Sequence, residues 1–575
     1  MSLQLNAKTI QQINRQAAAA GIHLHTELAS AEAATEKGAK SYSIGAHDPR
    51  VVLFMKSVRG MESADPTKTP SAEDTADGES EAFLEYLLEE SWKLSPLDTV
   101  RLVFHIRDCR EGKGEKRIFD AACRWLLRHH RAELEFVAPH IPFYGSWKDL
   151  PRVFGQTSFE STAVRLHTSQ LRADKKKLGT DDEKTIDTGA AKFAPSEKGE
   201  YDKKWQAVSK YASALGVNKA AYRKEYLRPL RSARVPIVEE LMCARDWESI
   251  DFSKVPSIAM KRYKIAFKKH QPERYAEFLQ KVISGDDPKV KINVSVLTPV
   301  EIVEQYTRGG GSWNLNINSL NDVAEAQWKQ LVADRKAKRA EIAETSGTRP
   351  VNALAVVDVS GSMFGKQAGT IAPIDVSLSV GLLIALLNDE DSPFYRKWVN
   401  FSESPKMQTL KGDSLHDMLT NLDSRNWSMT TNFQSVFDLI LETAEAFAVP
   451  QERMPGMLIV ISDMQFDQAN KGGRATNWEE IERKYAEKGY TRPTIVFWNA
   501  RSNTLDMPTP HSSVPNCALI GGFSANLLNP LIDGKVPSPL ALMRKVIDSE
   551  RYARVTLPGT PPAAPEDEGD EVKVE

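Results

Sequence analysis

Asp358, Ser360 and Ser362 stand in alternation at the end of an apolar run, Asn352–Val359 (NALAVVDV). Where the chain turns off a sheet, this spacing can bring one carboxylate and two hydroxyls to one point. These are hard oxygen donors, suited to Mg2+ or Mn2+ rather than to zinc or copper. A second apolar run, Met457–Ile461, ends in Ser462-Asp463 and supplies a second carboxylate at the same edge. Between them, Thr430-Thr431-Asn432 opens a predicted helix and offers a third hydroxyl. The plain alternative is a turn in which Asp358 caps a helix and the serines satisfy backbone amides. Hydrolysis would need a general base beside a metal-bound water. The DVSGSMFGK and ISDMQFD segments contain no His or Glu, and Asp467 reads as a solvated loop residue. The donor set therefore reads as a binding device, and no enzymatic activity is expected.

The elements that must hold these donors follow from the pattern after Pro350. Apolar strands are expected at Asn352–Val359, Trp398–Phe401, Met457–Ile461, Thr494–Trp498 and Cys517–Ile520. Helices alternate with them at 375–387, Phe433–Phe447 and Trp478–Glu487. Strands that are apolar throughout and alternate with helices predict a parallel, doubly wound, Rossmann-like sheet. Ligands of such sheets bind at the C-terminal strand ends.

The first half reads differently. Residues 1–80 are expected to form an N-terminal arm and an acidic linker. From 81 to 299 amphipathic helices follow one another with no β alternation, an all-helical array of stacked, HEAT-like pairs. Ser95-Pro96 has the signature of a helix start. Residues 172–189 read as a mobile polar loop, and 300–349 as a helical connector with a long charged helix, Val323–Glu344. The α/β domain spans 350–555, and a Pro-rich, acidic, disordered tail occupies 556–575.

The chain has 575 residues, more than one core usually serves, and multiple domains are expected. Its net charge of −2 hides an asymmetry. Residues 101–300 hold 39 Lys/Arg against 26 Asp/Glu, while both flanks are acidic. A basic middle predicts an anionic partner, of which nucleic acid is the commonest, or else a solvated helical surface. No apolar run approaches the ~18 residues of a membrane span. The four cysteines have no disulfide or zinc spacing, and a reducing, cytoplasmic setting is expected.

The DxSxS set Asp358, Ser360 and Ser362, with Thr431 (Thr430 being the alternative) and the distal Asp463, resembles the metal-ion-dependent adhesion site (MIDAS) of von Willebrand factor type A domains. The resemblance covers residues 350–550 and implies a metal with one coordination position open to an acidic group of a partner. A helical array before a type A domain resembles the Ro autoantigens, whose helical part is the TROVE module. Similarity is closer to the uncharacterised DUF2828 family, through Arg107–Arg117 (RDCREGKGEKR), Pro142–Leu150 (PFYGSWKDL) and Ala191–Glu197 (AKFAPSE). Thr431–Phe433 and Gly522–Ser524 extend it across most of the chain. The Ro resemblance implies binding of a structured small RNA, not DNA, by the basic middle. Candidate contacts are Arg107, Arg110, Lys113, Lys116 and Arg117 around a glycine-containing turn. A second set, Lys261, Arg262, Lys264, Lys268 and Lys269, stripes a helix with Tyr263 and Phe267 between them. Tyr263 and Phe267 are four apart, which is also ordinary core spacing. The leading expectation is an RNA-binding scaffold with a metal-dependent docking domain. An adaptor that binds only proteins is the alternative, and a metal-dependent hydrolase comes last.

Overall fold

Six-residue strands with no charged side chain before their last position can be buried on both faces. Ala353–Asp358 (β3), Met457–Ser462 (β6) and Thr494–Asn499 (β7) are of this kind, and Cys517–Gly521 (β8) is a fourth, five-residue strand. With Lys397–Phe401 (β4) and Lys406–Thr409 (β5) they form one sheet in the order β5-β4-β3-β6-β7-β8. The computed structural model describes residues 32–34, 40–42, 44–59, 75–233, 238–307, 317–347, 350–364, 371–401, 405–422, 433–464, 477–501, 507–532 and 534–559. A short antiparallel pair, Glu32–Ala34 (β1) and Lys40–Tyr42 (β2), lies apart from this sheet.

The sheet is mixed, not parallel throughout as the sequence predicts: β5 runs antiparallel to β4. Its sequence, KMQT, has no apolar run to announce it, because an edge strand is covered on one side only. The chain starts in the centre at β3, winds outward through β4 and β5, then returns to β6 and winds out through β7 and β8. Winding therefore reverses between β3 and β6. The registers Val357↔Ile461, Asp358↔Phe401, Ser462↔Asn499 and Asn499↔Gly521 align the strand ends in one row. Helix Pro373–Leu387, nearly all apolar, packs on β3 at the sheet centre. Gly381 permits that approach, since a Cβ there would lie 2.4 Å from Val357 Cγ2.

The N-terminal half is helical among its described residues from 75 onward. Ser95 caps helix Pro96–Arg107 by accepting from Asp98 N at 3.2 Å, with Pro96 in the first turn. Most of the helical core merges with the core of the sheet, while Val164, Leu171, Trp205, Tyr211, Tyr222 and Leu230 build a separate small core. Residues 172–189 are not a loop throughout. Helix Glu160–Lys177 runs into them, its three terminal lysines suited to the negative helix end, and Asp174 is buried.

A second difference concerns the expected arm. Helix Pro49–Lys56 is almost wholly buried and packs on β8 and on helices Thr75–Leu94 and Pro96–Arg107. A Cβ at Gly521 would lie 2.1 Å from Met55 O, so glycine lets this helix meet the sheet. Its apolar run VVLFM is too short to declare itself a core element from sequence alone. No helix among the described residues is long and apolar enough to cross a membrane.

Candidate metal centre and the basic segments

The row of strand ends carries polar side chains in an apolar sheet. Asp358, Ser462 and Asn499 are fully buried there, and Ser360 and Asp463 follow directly, also fully buried. Buried polar groups must be held by partners. Asp358 accepts from Ser360 N at 2.9 Å on one oxygen and from Ser462 Oγ at 2.6 Å on the other. Ser462 Oγ also accepts from Met464 N at 3.0 Å, which fixes its rotamer. Ser360 Oγ and Ser362 Oγ lie 3.2 Å apart. Four of the five predicted ligands, Asp358, Ser360, Ser362 and Asp463, thus gather at the reversal point between β3 and β6. Thr431 and Asp467 lie outside the described residues.

Burial, and next the charge of Asp463, push the Asp358 carboxyl well above its usual range. Two buried carboxylates favour a nearby cation, and each carboxylate oxygen can accept a second bond. A protein cation partly answers that call: Arg501 Nη1 lies 3.7 Å from Asp463 Oδ2 and 3.4 Å from Ser362 O. The donor chemistry fits Mg2+ or Mn2+, which Asp358, Asp463, Ser360 and Ser362 would hold. Among the described residues no group of three or more His, Cys, Asp or Glu is placed to hold a metal. Arg501 and Asn499 escape the motif-based reading. Asn499 Nδ2 is buried and has no hydrogen-bond partner among the described residues. The available signal is positional, a polar residue closing each of β3, β6 and β7.

The first basic segment is divided, with Arg107 and Lys113 turned inward and the other three basic residues outward. Arg107 is buried, and its Nε donates to Asp149 Oδ2 at 2.7 Å. Arg152 Nη2 donates to the other Asp149 oxygen at 2.6 Å, and Arg152 also pairs with Asp120. Lys113 is buried and its Nζ donates to Ser57 O at 3.1 Å, Ser57 Oγ at 2.9 Å and Phe54 O, closing the C-terminal end of helix Pro49–Lys56. These two residues are corrected from candidate RNA contacts to internal supports: Arg107 is neutralised by Asp149, and Lys113, its pKa pushed down to about 7 by burial, is held by neutral acceptors of helix Pro49–Lys56 and Ser57. Asp108 pairs not with Arg107 but with Arg551, which donates twice at 2.8 Å. Arg110, Lys116 and Arg117 are exposed. Arg110 Nη1 also donates to Phe143 O at 2.7 Å.

On helix Ser257–His270, Arg262, Lys268 and Lys269 are exposed and Lys264 is half-buried. Lys261 pairs with Glu304 at 2.9 Å. Phe267 is buried against Phe252 and Tyr275, so the core reading of the aromatic spacing is correct there. Trp147 is also structural: it stacks on His167 and donates to Asp187 at 2.6 Å.

Two families together cover this architecture. Residues 73–163 and 157–340, the helical half, match the family described as Domain of unknown function (DUF2828). Residues 352–552, the α/β domain, match Domain of unknown function (DUF7788). The chain is 30% identical over 494 residues to "Uncharacterized protein L728" of Acanthamoeba polyphaga mimivirus, covering 80% of each chain. The protein belongs to the DUF2828 family.

Proposed function

We propose that the protein is a non-enzymatic RNA-binding scaffold whose C-terminal domain is a von Willebrand factor type A domain that docks a partner through a divalent metal. One observation carries the docking part. Asp358, Ser360, Ser362 and Asp463 converge where winding reverses between β3 and β6, the place at which open α/β sheets bind ligands. Thr431 is proposed as a further ligand. Magnesium or manganese would supply a positive centre with room for an acidic group of a partner protein.

The helical half is read as a TROVE-like, HEAT-like array working in the cytoplasm. Arg110, Lys116, Arg117, Arg262, Lys268 and Lys269 offer exposed positive charge to phosphates of a structured small RNA. The second reading is an adaptor without RNA. It is favoured by the loss of Arg107 and Lys113 to the interior and by the Lys261–Glu304 pair.

Two measurements test the proposal. Mn2+ should bind the wild type, and Asp358→Ala should abolish that binding while leaving RNA affinity unchanged. A structured RNA should bind with a steep salt dependence. Purified protein that ignores RNA at low salt, yet still binds Mn2+, would replace the scaffold reading with the adaptor.

A further inference from the structure

Arg501 lies two residues beyond β7 and reaches across the sheet edge. Its Nη1 is 3.7 Å from Asp463 Oδ2, on a fully buried carboxylate, and 3.4 Å from Ser362 O. Its backbone N donates to Asn499 Oδ1 at 3.1 Å, which anchors the start of this segment to the end of β7. The side chain is 31% exposed, so the guanidinium has solvent on one side and the two-carboxylate site on the other. A guanidinium is always charged and presents its donors in a rigid fork. It can therefore compensate a carboxylate, but it cannot enter a small octahedral oxygen cage. A divalent ion placed between Asp463 and the serines would meet the positive charge of Arg501 only a few ångströms away.

We propose that Arg501 is the resident counter-ion of the Asp358–Asp463 pair, and that a divalent cation binds by displacing its guanidinium towards solvent. This inference rests on the metal-site reading above and adds a competing cation to it. Arg501 then sets how tightly the ion is held. It keeps the carboxylate pair tolerable when no ion is present, and its removal trades metal-free stability for metal affinity.

The experiment measures Mn2+ binding to the full chain by calorimetry or by the electron paramagnetic resonance of free Mn2+, for wild type, Arg501→Ala, Arg501→Lys and Asp358→Ala. Thermal unfolding is followed with and without saturating Mn2+. Arg501→Ala should bind Mn2+ about tenfold more tightly, which is about 1.4 kcal/mol. It should also melt below wild type without Mn2+ and regain that difference when Mn2+ saturates. Arg501→Lys should stay near wild type in both readings. Equal or weaker Mn2+ binding by Arg501→Ala, with Asp358→Ala still losing it, would overturn the counter-ion role alone. Absence of Mn2+ binding in both wild type and Arg501→Ala would overturn the metal site and this role together.

Discussion

Asp108 and Asp358 are both fully buried aspartates, each at the end of an element, and they have opposite surroundings. Asp108 closes helix Pro96–Arg107 and is surrounded by donors. Arg551 gives two N–H groups, Tyr552 its hydroxyl at 3.1 Å, and Arg110 its backbone N–H at 3.0 Å. Asp358 closes β3, receives a hydroxyl and an amide from the described residues, and shares its site with a second carboxylate. The first charge is answered by the fold. Among the described residues the second is answered only in part, and a buried carboxylate pair of this kind is where a ligand is worth seeking. Burial alone does not distinguish a structural carboxylate from a functional one; the balance of charge around it does.

Breaking the answered charge should cost most. Asp108→Ala leaves Arg551 without its main partner and should lower unfolding free energy by roughly 3–5 kcal/mol, read by urea denaturation. Metal binding in any surviving folded fraction should be unchanged. A loss under about 1 kcal/mol would mean that the arginine finds another partner cheaply.

Acid should weaken the Asp108 side of the molecule next. His105 lies against Tyr552 (Nδ1 to Oη, 3.0 Å), and burial pushes its pKa down to about 3. His47 donates from Nε2 to Thr509 O at 2.8 Å, and burial likewise holds it at about 4. Both are neutral in the native state. The unfolded chain takes up a proton near pH 6.5, whereas the native state does not, so stability falls as pH drops from 6.5 towards 4 for His47 and towards 3 for His105. The loss is on the order of 3 kcal/mol for His47 and roughly 5 kcal/mol for His105 across these windows. Denaturation at about pH 7 and about pH 4.5 measures the drop, and His105→Gln should reduce it.

Asp358→Asn should move stability the other way. The native carboxyl has a raised pKa, so ionisation of the crowded pair costs stability as pH rises through it. Without metal at about pH 7.5 the variant should gain about 1 kcal/mol over wild type. Saturating Mn2+ should reverse the ranking, because only the wild type gains from binding, by about 2.7 kcal/mol at a hundredfold excess over Kd. Melting curves with and without Mn2+ decide both halves.

The smallest change in stability is expected on the basic helix. Lys268→Ala with Lys269→Ala should alter stability by less than about 0.5 kcal/mol. The double variant should also flatten the salt dependence of RNA binding, by about one unit of slope for each lysine that neutralises a phosphate. Lys113→Met should do the reverse: a stability loss of about 1–3 kcal/mol from the carbonyls of Phe54 and Ser57, and an unchanged salt slope.

These contrasts also show what a sequence can display. β3, β6, β7 and β8 were legible because an apolar run is a local signal, and Asp358, Ser360 and Ser362 because the motif is confined to one short stretch. Ser95-Pro96 read correctly for the same reason. The fates of Arg107 and Lys113 were not legible, since Asp149 and Ser57 are supplied by other parts of the chain. Arg501 was hidden because only the β6–β7 pairing brings it beside Asp463. β5 was hidden by its polar, half-covered composition.

The seam helix Pro49–Lys56 sets an order of events during synthesis. His47 bonds to Thr509 and Ser512, 462 and 465 residues later, and the helix it precedes rests on β8. At typical elongation rates of about 5–20 residues per second, that apolar helix waits roughly 20–90 s for its seat. Until then VVLFM has only helices Thr75–Leu94 and Pro96–Arg107 to pack against. For the same reason residues 350–559 expressed alone would uncover the flank of β8 that this helix occupies.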